Sequence, residues 1–367
     1  MPNTTDTPPA ADVIPVREGE DIDRAALAAY LEGKLPGARG ELAIWQFGGG
    51  HANLTYLIYY PQADDGPREF VLRRPPLGPV AATAHDMGRE YRVLSVLYRA
   101  FPLAPRAYVY CDDPSVIGAP FFVMERHHGI VVRETIPPEF GEGHDPAANR
   151  RLSEVVIDTL ARLHRVDPAA VGLESLGKPE GFMQRQVSGS TQRWERSKTR
   201  EVPLADQLSQ WLRDNLPPSP PPVLLHNDWR LDNMMVSPAD PGRVVAVFDW
   251  DMCTMGDPLA DLGTLLTSWI EAKEESGLWM PMPIPSQTPG FMTRREAIAR
   301  YADLTGITVG RISYYRVFGI FKIAVTLQQI YQRYHRGQTR DERFSQFESL
   351  VERMFERAAS LAEHPDV

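Results

Sequence analysis

The stretch Val223-Leu224-Leu225-His226-Asn227-Asp228-Trp229-Arg230-Leu231-Asp232-Asn233 sets a short apolar run directly ahead of a polar one. The apolar part reads as a buried strand, so the polar side chains fall where the chain leaves the core, in a loop. An Asp followed five residues later by an Asn can place both groups around one centre. Asp228 can accept a proton from an attacking hydroxyl, and the amide oxygen of Asn233 can bind a metal. Downstream, a second apolar strand at 244–248 runs straight into Asp249-Trp250-Asp251. A carboxylate at a strand end, beside an Asn on a neighbouring loop, makes a hard oxygen site suited to Mg2+. His-x-Asp alone has low specificity; joined to Asn233 and a strand-borne Asp249 it becomes specific. The competing reading is that these residues only cap and turn the chain.

Working outward, the region before this stretch is rich in strands and the region around and after it in helices. Positions 23–35 have helical spacing, with Leu27, Tyr30 and Leu31 on one face. Strands follow at 42–47, 54–60 and 68–74, the first two separated by Gly48-Gly49-Gly50-His51-Ala52-Asn53 and the second pair by a polar turn at 62–66. A helix at 85–100 and strands at 107–111 and 121–125 complete this part. Amphipathic helices are expected at 147–165 and 203–215, whereas 181–199 is polar and is left unassigned. A proline cluster at 217–222 leads into the strand at 223–225, a turn is expected at Asp240-Pro241-Gly242, and 259–363 reads as helices interrupted by a proline-rich loop at 281–289. The expected organisation is a tail at 1–20, a small sheet-bearing lobe at 21–126 and a larger helical lobe at 127–367. The fold class is α+β.

Composition narrows the function. Of 367 residues, 43% are apolar and 24% charged, as in ordinary globular proteins, and the formal net charge is −9. That charge argues against a nucleic-acid or anionic-membrane partner, since both need a basic face to displace counterions. No apolar run is long enough to span a bilayer. Residues 1–15 hold four prolines and no apolar core segment, so they read as a disordered tail and not as a signal peptide. The two cysteines, Cys111 and Cys253, are far apart and have no metal-ligand spacing, which fits a reducing, cytoplasmic setting.

Four further phrases give the chain a family likeness: Leu72-Arg73-Arg74-Pro75-Pro76, Arg89-Glu90-Tyr91-Arg92-Val93-Leu94, Gly118-Ala119-Pro120-Phe121-Phe122-Val123-Met124-Glu125-Arg126 and Gly256-Asp257-Pro258-Leu259-Ala260-Asp261-Leu262. Together with His226-x-Asp228-x-x-x-x-Asn233 and Phe248-Asp249-Trp250-Asp251, they cover roughly residues 40 to 340. The sequence resembles the aminoglycoside phosphotransferase/choline kinase family, and within it the branch fused in some proteins to acyl-CoA dehydrogenases. The resemblance implies a protein-kinase-like bilobal fold and a Mg2+- and ATP-dependent transfer of a phosphoryl group to a small-molecule hydroxyl. In its terms Asp228 is the catalytic base, with Asn233 and Asp249 as catalytic and metal-binding residues. Gly49, Gly50, His51 and Asn53 then form a nucleotide loop, Arg73 binds phosphate with Glu90 as its partner, and Met124, Glu125 and Arg126 form the hinge at the adenine. A Ser often precedes the Asn in this family; here Ala52 stands before Asn53. Arg73 occupies the place of the usual strand lysine, keeping the charge with a wider head. Asp261 resembles the family's buried aspartate that braces the catalytic loop. Asp251 is open between a metal, water or substrate contact and a helix cap. Arg74 should face away from Arg73 into solvent, and His164 reads as a core residue.

The acceptor is a separate question, because one fold serves many substrates. Cationic acceptors call for carboxylates or aromatics. Instead Arg185, Arg193, Arg196, Lys198 and Arg200 crowd one segment, and the final helical region adds Arg311, Arg316, Lys322, Arg333, Arg336 and Arg340. This favours an anionic or acyl-CoA-type hydroxy compound, against the alternative that these residues form a solvated or self-paired face. An aminoglycoside or amino-alcohol kinase and a catalytically weak nucleotide-binding module stay open, as does a homodimer.

Overall fold

The computed structural model describes residues 10, 12–48, 53–61, 68–76, 86–274 and 285–365. They belong to two compact units, Met1–His128 with Ala246–Asp251, and Gly129–Val245 with Met252–Val367.

The first unit is built from β1 (Val13–Ile14), α1 (Arg24–Leu31), β2 (Ala43–Phe47), β3 (Leu54–Tyr59), β4 (Glu69–Arg74), α2 (Met87–Leu97), β5 (Ala107–Cys111) and β6 (Phe121–Glu125). The strands form one sheet in the order β1-β2-β3-β4-β6-β5, and the registered neighbours run antiparallel. Period-two alternation buries Phe70 and Leu72 of β4 against Tyr56, Ile58, Val123 and the α1 residues Leu27 and Leu31. Each such side chain taken from water contributes about 2 kcal/mol. Both helices start on an aspartate: the Asp23 side chain accepts from the Ala26 amide and that of Asp86 from the Arg89 amide, each at 2.9 Å. In α2 this cap starts a face that buries Met87, Glu90, Val93, Leu94 and Leu97.

Two expectations change here. Val13 and Ile14, assigned by composition to a disordered tail, pair with Phe47 and Gln46 of β2, and Val13 is buried with Ala43, Trp45 and Leu57. Arg74 does face away from Arg73, but it is buried instead of solvated. Its guanidinium donates to the Ile117 carbonyl at 3.1 Å, to the Glu20 carbonyl at 2.8 Å and to the Tyr56 hydroxyl at 2.8 Å. The segment leading out of β1 covers that face of the sheet, and its carbonyls compensate the desolvated cation.

The second unit comprises β7 (Ile130–Val131), α3 (Pro146–His164), α4 (Phe182–Ser197), α5 (Pro203–Asp214), β8 (Val223–Leu225), β9 (Met234–Ser237), β10 (Asp240–Val247, its last two residues counted with the first unit), β11 (Thr254–Gly256), α6 (Pro258–Thr267), α7 (Arg294–Thr305), α8 (Ile312–His335) and α9 (Phe347–Glu363). Two small sheets, β10-β9-β7 and β11-β8, lie among the helices, and β8 and β9 flank the stretch 226–233. The turn expected at Asp240-Pro241-Gly242 is instead the start of β10. The unassigned polar segment is α4, which buries Phe182, Met183, Val187, Ser190, Trp194 and Ser197. Its inward stripe is helical in spacing, but the serines in it hide the apolar period. Helices α6 and α8 approach through small residues: a Cβ on Gly263 would lie 2.3 Å from the Tyr315 Cβ, and one on Gly319 2.4 Å from the Thr267 hydroxyl. No helix among the described residues is long and apolar enough to cross a membrane.

Candidate active site

In the second unit, β8 delivers the chain to a loop held from below by one carboxylate. Asp261, in the first turn of α6 and 1% exposed, accepts from the His226 amide at 2.7 Å through Oδ2 and from the Asn227 amide at 2.8 Å through Oδ1. Its Oδ2 also lies 3.3 Å from His164 Nε2, whose ring is oriented by the Tyr301 hydroxyl 2.7 Å from Nδ1. Burial alone would raise the Asp261 carboxyl; the His164 hydrogen bond, the charges of His164 and His226 and the His226 amide outweigh it and hold its pKa below the ordinary 3.8. A carboxyl depressed in this way stabilises the fold above that ordinary value, and the contribution fades as pH falls further. Asp261→Ala should therefore cost about 3 kcal/mol at neutral pH, because two buried amides and His164 lose their acceptor. Urea unfolding of the variant and wild type checks this, and a loss under about 1 kcal/mol would contradict the bracing role.

Above this brace Asn227 is forced into the left-handed region, with φ +67°. Non-glycine residues there carry strain of roughly 1–2 kcal/mol and persist only when their surroundings over-determine them. Asn227 is over-determined. Its amide is held by Asp261, its side-chain Nδ2 donates to the Met252 carbonyl at 2.8 Å, and its own carbonyl accepts from Lys322 Nζ at 3.1 Å. The next residue is Asp228. Asn233 Nδ2 donates to Asp228 Oδ2 at 2.9 Å and to the Asp228 carbonyl at 2.8 Å, so the two side chains meet as the spacing of five suggests. The Asn233 amide oxygen is thereby turned away from Asp228, as a hard cation ligand must be.

In the first unit, Arg73 of β4 donates through Nη1 to Glu90 of α2 and through Nη2 to Asp249 Oδ1 at 3.0 Å. The guanidinium fork thus serves two carboxylates at once. Asp249 follows β10 with φ +68°, a second left-handed non-glycine residue. Its segment is anchored by the Val247 amide on the Leu103 carbonyl at 2.7 Å and by Trp250, which is fully buried edge-on against Phe101. Burial pushes the Glu90 carboxyl up to about 7 against the pull of Arg73, and the charges of Asp249 and Asp251 add to the rise. Arg73 is itself desolvated, but Glu90 and Asp249 keep its pKa above the ordinary value.

Of the remaining expected site residues, Gly49, Gly50 and His51, with Ala52, lie outside the described residues, and Asn53 is buried. Met124 is buried in β6 opposite Val71. Glu125 lies 3.5 Å from His127 Nε2, which holds its carboxyl below the ordinary range despite burial. Arg126 stacks over the Phe47 ring at 4.7 Å and pairs with Asp12.

The basic cluster proves heterogeneous. Arg200 is neutralised by Glu352 at 2.9 Å and Glu348 at 3.3 Å, Lys198 by Glu195 and Glu201, and Arg185 binds the Lys178 and Glu180 carbonyls. Those residues are structural. Arg193 has no acidic partner among the described residues, and its charge is felt at Lys322. Lys322 was recognisable only as one of many cations. Its placement on α8 beside buried Phe321 and Ala324 was the available signal, since a lysine on a buried helical stretch needs a polar target.

The profile of the phosphotransferase enzyme family matches residues 43–278. Acyl-CoA dehydrogenase family member 11 of Gallus gallus is 33% identical over 359 residues, an alignment covering 95% of this chain and 44% of that one, so the chain spans under half of that relative's length. A solved Ralstonia eutropha structure, named for aminoglycoside phosphotransferases, superposes with a TM-score of 0.76 at 28% identity, over 93% of this chain and 99% of that one. Aminoglycoside phosphotransferase APH(4)-Ia, solved with AMP-PNP and hygromycin B, shares the fold at a TM-score of 0.57 and 17% identity, over 93% of this chain and 100% of that one. With a family profile spanning well over half its length, the chain belongs to the phosphotransferase enzyme family.

Proposed function

We propose that this protein transfers the γ-phosphoryl group of ATP to a hydroxyl of a small-molecule acceptor, with Asp228 as the base. The observation that carries this is the loop 226–233, in which a strained Asn227 and a braced backbone present Asp228 against Asn233. A carboxylate so fixed accepts the acceptor's proton as its oxygen attacks, while the Asn233 amide keeps the carboxylate oriented. Asn233 and Asp249 would hold Mg2+, and their oxygens are the hard donors that ion takes; when bound it neutralises charge on the phosphates. Arg73, kept cationic by Glu90, would bind phosphate in place of the usual lysine. The complex of APH(4)-Ia with AMP-PNP supports an adenine nucleotide as donor.

For the acceptor we favour an anionic or acyl-CoA-type hydroxy compound. Support comes from the relative's name and from the positive charge at Lys322, whose ammonium reaches the Asn227 carbonyl and feels the charge of Arg193, neither of them in an ion pair among the described residues. The test is ATP consumption by the full chain with Mg2+ against hydroxyacyl-CoAs, amino alcohols and aminoglycosides. Turnover should depend on a hydroxyacyl-CoA or another anionic hydroxy compound. Turnover with aminoglycosides alone would overturn the acceptor assignment, and none with any alcohol would favour a nucleotide-binding module.

A further inference from the structure

Lys322 is 94 residues beyond Asp228 in sequence, yet its ammonium reaches the peptide that precedes Asp228. Helix α8 can bring it there because Gly319, one turn earlier, lets α8 lie against Thr267 of α6, the helix that also carries Asp261. The two peptide units that flank the Asn227 Cα are therefore held from the same helix pair: α6 holds the Asn227 amide and α8 holds its carbonyl. Burial disfavours the Lys322 ammonium and lowers its pKa; the charges of Asp228 and Asp261 oppose that fall, and Arg193 adds to it. A half-buried cation in a helix that otherwise buries Tyr315, Phe318, Phe321 and Val325 is costly unless it has a target. Here the target is the Asn227 carbonyl.

We propose that Lys322 is a positioning residue for phosphoryl transfer, clamping the Asn227 carbonyl so that the left-handed turn holds and Asp228 is aimed at the acceptor hydroxyl. A charged donor is roughly twice as strong as a neutral one and can offset the strain of that conformation. Lys322 acts through the loop and accepts no proton from the substrate.

The effect on turnover rests on the reading of Asp228 as base, whereas the clamping of the loop does not, and the test separates them. Hydrogen exchange of the amides in peptide 226–233 is measured in the full chain for wild type, Lys322→Met and Lys322→Arg. The methionine variant keeps the helix and the side-chain length but has no donor. Its loop amides should exchange about tenfold faster, with kcat down about ten- to a hundredfold and KM for ATP within twofold. Lys322→Arg should bring exchange back to within about threefold of wild type and recover most of kcat. Loop exchange unchanged in Lys322→Met overturns the proposal, as does a variant whose KM for ATP rises as far as kcat falls. Should Lys322→Met not fold, Lys322→Leu, which also has no donor, takes its place with the same readouts, and wild-type exchange there is equally fatal. If Asp228→Asn turns over normally, the phosphotransferase reading fails while the exchange data still decide the clamp.

Discussion

Asp228→Asn should lower kcat by about a thousandfold or more and leave Mg-ATP affinity within about threefold. The substitution is nearly isosteric, and an amide oxygen at position 228 can still accept from Asn233 Nδ2, so the loop keeps its shape. What is lost is the capacity to take a proton from the acceptor as its oxygen attacks. Single-turnover kinetics separate this from binding, and calorimetric titration with Mg-ATP reports the second half of the claim. A variant that retains more than a tenth of wild-type turnover would remove Asp228 from the role of base. A wild type that binds Mg-ATP tightly but is as inactive as the variant would point to a binding module.

The second large effect belongs to Arg73. Arg73→Ala should reduce kcat/KM for ATP by about a hundred- to a thousandfold, the range expected when a phosphate-facing cation is removed from a desolvated site. Arg73→Lys should recover only a small part of that loss. The fork reaches Glu90 with one nitrogen and Asp249 with the other, and a single ammonium on a flexible stem cannot hold both carboxylates in the same geometry. Asp249 would then lose a partner while still carrying its left-handed backbone. The measurement is steady-state kinetics with ATP varied. Full activity in Arg73→Lys would show that charge alone matters and that this chain is a conventional lysine-type kinase with a tolerated exchange. Full activity in Arg73→Ala would remove Arg73 from the phosphate site.

Strands β2 to β6 of the first sheet were legible because each is a short run rich in apolar, β-branched and aromatic residues set off by turns; 107–111 and 121–125 fall on the observed limits of β5 and β6. The meeting of Asp228 and Asn233 was legible because it is local, a matter of five residues. What stayed hidden depends on distant chain. Val13 and Ile14 look like tail because a two-residue strand has no period of its own and exists only where β2 offers an edge. Arg74 was given its correct face but the wrong environment, since strand alternation says where a side chain points and not what backbone will cross there. In α4 the buried stripe passes through Ser190 and Ser197, which no hydrophobic pattern counts. Lys322 could not be separated from its basic neighbours by composition; only the approach of two helices through glycines distinguishes it.

The short β1 has a consequence beyond the catalytic chemistry. A sheet edge with unsatisfied amides and carbonyls is a template for a second chain, and β2, carrying Trp45 and Phe47, would be a sticky one. Two residues of β1 occupy that edge, and two clasps hold them there: Arg126 on Asp12 just ahead of the strand, and the Arg17 amide on the Gln46 side chain at 2.9 Å just behind it. Removing the segment that looks most dispensable in the sequence would bare the β2 edge at Gln46 and Phe47, and the expected first effect is poorer solubility, ahead of any loss of turnover.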